Sequence, residues 1–259
     1  MKWIELKKEQ QVARVILNRP DLHNAFNPEM ILEVTEAFKE LSQDSQLRSV
    51  VLSGKGKSFC AGADLEWMKS MANYSYEQNI QDSKSLYNMF DAIRNCSKPV
   101  ICRVHGNVMG GGLGLVAASD IVVAEKDSRY AFSEVKLGLV PSVISSFVLK
   151  KCSDARVREL MLTAETFNSF KAREIGLVQF VGEPEEIDDH IQGKIDFIFS
   201  GGPEAVAMTK HILNYNQAHP IEAVVEETIR VIAERRVSAE GQAGLSAFLS
   251  KQPAPWKKA

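Results

Sequence analysis

Val108-Met109-Gly110-Gly111-Gly112-Leu113-Gly114-Leu115-Val116-Ala117-Ala118-Ser119-Asp120 lies between two apolar, β-branched runs, Pro99-Val100-Ile101-Cys102-Arg103-Val104 and Ile121-Val122-Val123-Ala124. Three adjacent glycines open what reads as a short helix between two strands. Glycine has no Cβ, so a ligand can come within hydrogen-bonding reach of its backbone N–H groups. The first turn of a helix leaves N–H donors unpaired, and its dipole favours negative charge there. The stretch therefore predicts a backbone anion site.

Outward from it, a strand–loop–helix unit recurs at irregular intervals, with strand-like runs beginning near residues 13, 49, 99 and 121. Such units stack on a shared core with their loops clustered on one side. Asn27-Pro28 opens a helix with Ile31, Val34, Thr35, Phe38 and Leu41 on one face. Asp64 is placed to cap a short helix through Met68 and Met71. Residues 77–94 predict a longer helix with Ile80, Leu86, Tyr87, Phe90 and Ile93 inward, and 155–163 and 168–176 predict two more, the last stopped by Gly176. From Gly201-Gly202-Pro203 onward only helices are expected, at 205–215, 222–236 and 240–249. Three helices make a small core, so residues 201–259 are expected to pack on the 1–200 core or on a neighbouring subunit. The tail from Pro253 to Lys258 is expected to be loosely held apart from Trp256.

The 259 residues are 45% hydrophobic and 25% charged, as in an ordinary globular protein with a sizeable core. A net charge of −2 gives no electrostatic footprint for nucleic acid or an anionic membrane. Cys60, Cys96, Cys102 and Cys152 show neither a C-x-x-C pair nor metal-type spacing, so reduced structural thiols and no metal site are expected. The first eight residues carry no apolar signal region, and no run is long enough to span a bilayer. A cytoplasmic location is the expectation; a matrix protein after removal of a transit peptide would look the same.

Two nucleotide motifs fail. Gly56-Lys57-Ser58 follows a strand, but a P-loop needs glycine at position 51, which is Val51. Gly112-x-Gly114-x-x-Ala117 fits a dinucleotide fingerprint, yet the helix it would open is too short to cover a sheet.

Four segments, in order and in register, resemble the crotonase superfamily of enoyl-CoA hydratases and isomerases. They are Asn18-Arg19-Pro20-x-x-x-Asn24-Ala25-Phe26, Phe59-Cys60-Ala61-Gly62-Ala63-Asp64-Leu65, Gly110-Gly111-Gly112-x-Gly114 with Ser119-Asp120, and Phe132-Ser133-Glu134-Val135-Lys136-Leu137-Gly138-Leu139. The resemblance implies an α/β spiral of ββα repeats with two nearly perpendicular sheets. It also implies a C-terminal helical trimerisation region and a homotrimer or homohexamer. The ligand would be an acyl-CoA thioester, with no other cofactor.

Thioester enolate chemistry needs two donors aimed at the carbonyl oxygen, where negative charge develops. By resemblance these are the N–H groups of Ala63 and Gly111. Leu22, His23, Ala25 and Ala61 map to the CoA-binding loops, and Asp64, Leu65, Gly110 and Gly114 belong to the same substrate-binding segments. His23 reads as a loop residue beside the nucleotide, and His105 as a hydrogen-bonded structural residue. Hydratases of the family carry two glutamates. Here the second position is Glu134 and the first is Gly114, which offers no side chain. An apolar flank around Glu134 is expected to raise its pKa and make it an acid/base rather than the ion-pair partner of Lys136.

Gly114, the missing glycine pair after Pro141, and the ending Glu240 to Trp256 resemble bacterial methylglutaconyl-CoA and isohexenylglutaconyl-CoA hydratases. The expectation is an enoyl-CoA hydratase for a branched 3-methylglutaconyl-type thioester, with Gly114 leaving room for the branch. Lys69 and Arg103 are candidates for holding a distal carboxylate. The alternatives are a one-glutamate Δ3,Δ2-enoyl-CoA isomerase, or a non-catalytic acyl-CoA- or RNA-binding protein. The latter would need a basic helical face, and 77–94 offers only Lys84 and Arg94.

Overall fold

A computed structural model describes residues 1–257. The four strand-like runs become neighbours. Strands β1 (Ile4–Glu9) and β2 (Val12–Leu17) form an antiparallel hairpin, and β3 (Ser49–Gly54) adds to β2 in parallel. After α1 (Pro28–Gln43), α2 (Leu65–Met71) and α3 (Tyr76–Arg94), the chain lays down β4 (Val100–Val104) and β5 (Asn107–Met109). Helix α4 (Gly111–Ala118) then leads into β6 (Ile121–Glu125), which pairs in parallel with β4. Strand β7 (Arg129–Ala131) is followed by α5 (Ser142–Lys151), α6 (Asp154–Thr163), β8 (Phe167–Asn168), α7 (Ser169–Glu174) and β9 (Phe180–Gly182). The main sheet runs β1-β2-β3-β4-β6-β9, and β5-β7-β8 form a second sheet.

Strands near the middle of the main sheet are apolar at nearly every position because both faces are covered. Val50, Leu52, Val100, Cys102 and Val122 join the core shared with α1, α3 and α4. Val51, Ile101 and Val123 alternate to the other face, against Ile187, Ile191 and Ile195 of α8 (Pro184–Ser200). Helix α4 is buried from Gly112 to Ala118. A short helix that is apolar all round can only be interior.

Asn27 caps α1, and Asp64 caps α2 by accepting from the Glu66 and Trp67 amides at 2.7 and 3.1 Å. Helix α3 differs from its expected inner face. Met89, Phe90 and Ile93 are buried, whereas Ile80 and Tyr87 are exposed. Both α5 and α8 are additions to the expected elements.

Beyond residue 200 come α9 (Pro203–Asn216), α10 (Ile221–Val237) and α11 (Ala239–Leu249). Helix α9 is tied to the body. Lys210 Nζ donates to Asp120 Oδ2 at 2.7 Å and to the Lys98 carbonyl at 3.1 Å, and Asn214 donates to the Arg94 carbonyl at 3.0 Å. Asp120 Oδ2 also accepts from the Val100 amide, so one carboxylate joins β4, the end of α4 and α9. In the tail, Trp256 Nε1 donates to the Ser200 carbonyl at 3.0 Å; Lys258 lies outside the described residues. No helix among the described residues is long and apolar enough to cross a membrane.

Candidate active site

The segment Phe59–Asp64 is held from both sides. On one side the Cys60 amide donates to Asn107 O and the Met109 amide returns to Cys60 O, bridging it to β5. On the other, the Ala61 amide donates to His23 O, the Phe26 amide to Gly62 O and the Asp64 amide to Phe26 O. This last bridge uses the Gly62 carbonyl and the Asp64 amide on either side of Ala63 and leaves the Ala63 N–H itself unclaimed by the chain. Gly62 makes the turn possible. Its φ is +93°, and a Cβ there would stand 3.0 Å from the Met109 carbonyl.

Gly110 (φ +49°) turns β5 into α4, and its own amide donates to Ala131 O. The Gly111 amide, in the first turn of α4, has no acceptor within the chain. The Gly111 nitrogen is 3.8 Å from the position of a Cβ on Gly62. The two loops therefore bring two free backbone donors, Ala63 and Gly111, to one wall of a cavity of about 600 Å³.

Glu134 enters the same cavity from a 3-10 turn, Glu134–Leu137, that follows β7 and closes on left-handed Gly138. A Cβ on Gly110 would meet Glu134 Oε1 at 3.3 Å, so the carboxylate lies against the entry to α4. Its Oε2 is buried without a hydrogen-bond partner. Lys136 is exposed. Burial raises the Glu134 pKa above the ordinary carboxylate value, only partly opposed by a backbone hydrogen bond. Phe26, Trp67, Leu86, Val143 and Ile144 supply much of the remaining apolar wall.

Other expected residues fall elsewhere. Leu22 and His23 lie exposed on the loop joined to Ala61, and His23 Nδ1 is 3.1 Å from Ser58 Oγ. Ala25 is buried beside them. Leu65 is 73% exposed and does not line the cavity. Asp64, expected among the substrate-binding residues, serves within the chain as a clamp. Its Oδ1 caps α2 and its Oδ2 accepts from Arg19 at 2.8 Å, so both oxygens are committed. Gly110 acts as the seat of Glu134.

Gly114 is corrected. It is buried and lines no part of the cavity, because the space beside it is filled by the ring of Phe90. Neither candidate cation reaches the cavity. Lys69 pairs with Glu66 at the surface, and Arg103 points to the α8 face, pairing with Asp188 at 2.8 Å and Glu125 at 3.3 Å. His105 Nε2 is 2.9 Å from Gly56 O, a structural contact. All four cysteines are free and buried, and burial pushes the Cys60 and Cys102 thiols up to about 12.

The sequence reading missed Asp82 and Trp67. Both line the cavity, and Trp67 Nε1 donates to Asp82 Oδ1 at 3.2 Å. The signal for Trp67 was its place three residues after the cap of a helix leading from the Ala63 loop. Asp82 gave none.

Two backbone N–H groups unclaimed by the chain and one partly buried carboxylate thus share a single cavity on this α/β fold. Residues 7–259 match the enoyl-CoA hydratase/isomerase family, and the chain belongs to it. An enoyl-CoA hydratase from Shewanella pealeana superposes with a TM-score of 0.93 at 35% identity, over 98% of this chain and 96% of that one. The short-chain-enoyl-CoA hydratase of Clostridium acetobutylicum is 30% identical over 95% of this chain and 94% of its own length. The peroxisomal Delta(3,5)-Delta(2,4)-dienoyl-CoA isomerase of Arabidopsis thaliana is 32% identical over 81% of this chain and 80% of its own length.

Proposed function

We propose that the protein hydrates a 2-enoyl-CoA, with Glu134 as its acid/base and the Ala63 and Gly111 amides as oxyanion donors. The observation that carries this reading is the Glu134 carboxylate, its Oε2 buried without a partner, in the same cavity as those two unclaimed N–H groups. The thioester carbonyl oxygen accepts from both amides. Glu134 takes a proton from water as its oxygen bonds to C3, and the C2–C3 π pair moves onto the carbonyl as an enolate. Glu134 then returns the proton to C2, completing addition of one water. Donors of this type contribute roughly 3 kcal/mol each to lowering the barrier. The chemistry uses the chain's own groups and the CoA carried by the substrate.

Crotonyl-CoA turnover by wild type and Glu134→Gln tests this. A loss of about a hundredfold or more is expected, and full retention in the variant overturns the role of Glu134. Isomerisation is the second reading. The same carboxylate could move a proton between C4 and C2, and an isomerase is among the relatives. A 3-enoyl-CoA converted to its conjugated isomer faster than crotonyl-CoA is hydrated would favour it.

The 3-methylglutaconyl-type substrate rests on motif likeness alone. The cavity presents no lysine or arginine among the described residues for a distal carboxylate, and Phe90 takes the room beside Gly114. A chain without a second carboxylate fits better. Exposed Leu213, Ile229 and Phe248 on the C-terminal helices support assembly of further copies through this region.

A further inference from the structure

The cavity wall formed by α2 and α3 is mostly apolar but carries one polar stripe. Asn79, Asp82 and Ser83 stand three and four residues apart, so they share a face of α3, and all three line the cavity. Asp82 is half-buried. One of its oxygens accepts from the Trp67 indole N–H at 3.2 Å; no cation and no second donor from the chain meets the carboxylate among the described residues. Burial raises its pKa, with the indole pulling the other way. Asn79 spends its Nδ2 on the Tyr74 and Ser75 carbonyls, leaving its side-chain oxygen as an acceptor.

The stripe lies in the N-terminal half of α3, away from the end of that helix that packs near Gly111. Asp82 and Phe90 are eight residues apart on α3, about 12 Å along the axis, and it is the Phe90 ring that packs edge-on against Phe26, whose own ring lies where a Cβ on Gly111 would project. Asp82 is thus set for the far end of an acyl chain rather than for the carbons beside Glu134.

We propose that Asp82 is a specificity-determining residue that accepts a hydrogen bond from a hydroxyl near the far end of the acyl chain and rejects a chain ending in a carboxylate. The inference rests on the enoyl-CoA reading given above. A carboxylate can only accept, so its free oxygen is complemented by an O–H. A second carboxylate would meet like charge in a confined, apolar setting, where such juxtaposition is costly. An unsubstituted chain would offer no donor to the free oxygen of half-buried Asp82, so it is expected to fall between the two.

The test compares kcat/KM for three CoA thioesters of equal chain length: hexenoyl, ω-hydroxyhexenoyl and hexenedioyl. Wild type is expected to favour the hydroxylated chain over the dicarboxylic one by about tenfold or more. Asp82→Asn should reduce that ratio about tenfold, and Asp82→Lys should reverse it. A ratio that stays within about twofold of wild type in both folded variants overturns the proposal. Should no thioester be hydrated or isomerised, the enzyme reading fails. The dissociation constants of ω-hydroxyhexanoyl-CoA and adipyl-CoA, measured by calorimetry on the same three proteins, then decide the role of Asp82 separately: the same ratios support it, and equal affinities overturn it.

Discussion

The ring of Phe90 occupies the space into which a side chain at Gly114 would project: a Cβ there would stand 2.7 Å from two of its ring carbons. Phe90 in turn packs edge-on against Phe26 and Phe147, with centroids 6.5 and 5.5 Å away. The absent carboxylate is therefore replaced by core, not by open space. Gly114→Glu is expected to destabilise the protein by about 1–3 kcal/mol or more through overpacking, without raising hydratase activity. Adding Phe90→Ala should give room to the new side chain. Denaturant unfolding and crotonyl-CoA turnover of both variants check this; a stable, more active single variant would contradict it.

Burial of Glu134 fixes the sign of two pH effects. As a base it must be ionised, so kcat/KM should rise with pH through its raised pKa and level off above it, and Glu134→Gln should lack that limb. For stability, the unfolded chain gives up this proton at a lower pH than the folded one. The carboxylate's burial penalty therefore grows as pH rises through the folded pKa and is complete above it. The stability of Glu134→Gln relative to wild type should increase over the same range. Urea titrations on both sides of that limb measure the difference.

Much of the spiral was readable because its cause is local. Runs such as Ser49–Leu52 and Val100–Val104 announce strands, and the structure sets them side by side in parallel. Helix α8 was equally open to reading, with Pro184 at its start and Ile187, Ile191 and Ile195 at helical spacing. The site divides differently. Ala63, Gly111 and Glu134 are fixed by motifs that dictate backbone shape, so sequence places them. Gly114 misled because the loss of a side chain says nothing about what fills the space, and Phe90 arrives from another helix. Asp82 was invisible for the same reason: an acidic residue on a polar helix becomes informative only when Trp67 and the cavity are seen beside it.

The C-terminal helices expose several large apolar side chains, with Phe248 80% exposed and Leu213 and Ile229 each 62%. An apolar surface of this kind on a folded chain marks an interaction site. Phe248→Asp is expected to shift the protein to a smaller species in light scattering coupled to gel filtration, while the far-ultraviolet spectrum stays unchanged. A wild type that is monomeric at micromolar concentration would refute the assembly.

The buried pair Arg19–Asp64 joins the two loops that carry Phe26 and Ala63, each side chain being only 9% exposed. Burial alone would raise the Asp64 pKa; the Trp67 amide, the Arg19 guanidinium and the Glu66 amide outweigh it and hold the carboxyl below its usual value. The stabilisation is thus fully present above the unfolded pKa and is lost as pH falls through the folded one. Asp64→Asn retains a side-chain oxygen able to cap α2 but strands the guanidinium, which still donates to Ala25 O. Leaving a buried charge unpaired costs about 3–5 kcal/mol. Replacing Arg19 by methionine in the same chain removes that charge, so the double variant should be more stable than Asp64→Asn alone. If instead the two losses add, the pair contributes by packing and not by charge, and the acid-side loss of stability must be sought in another carboxylate.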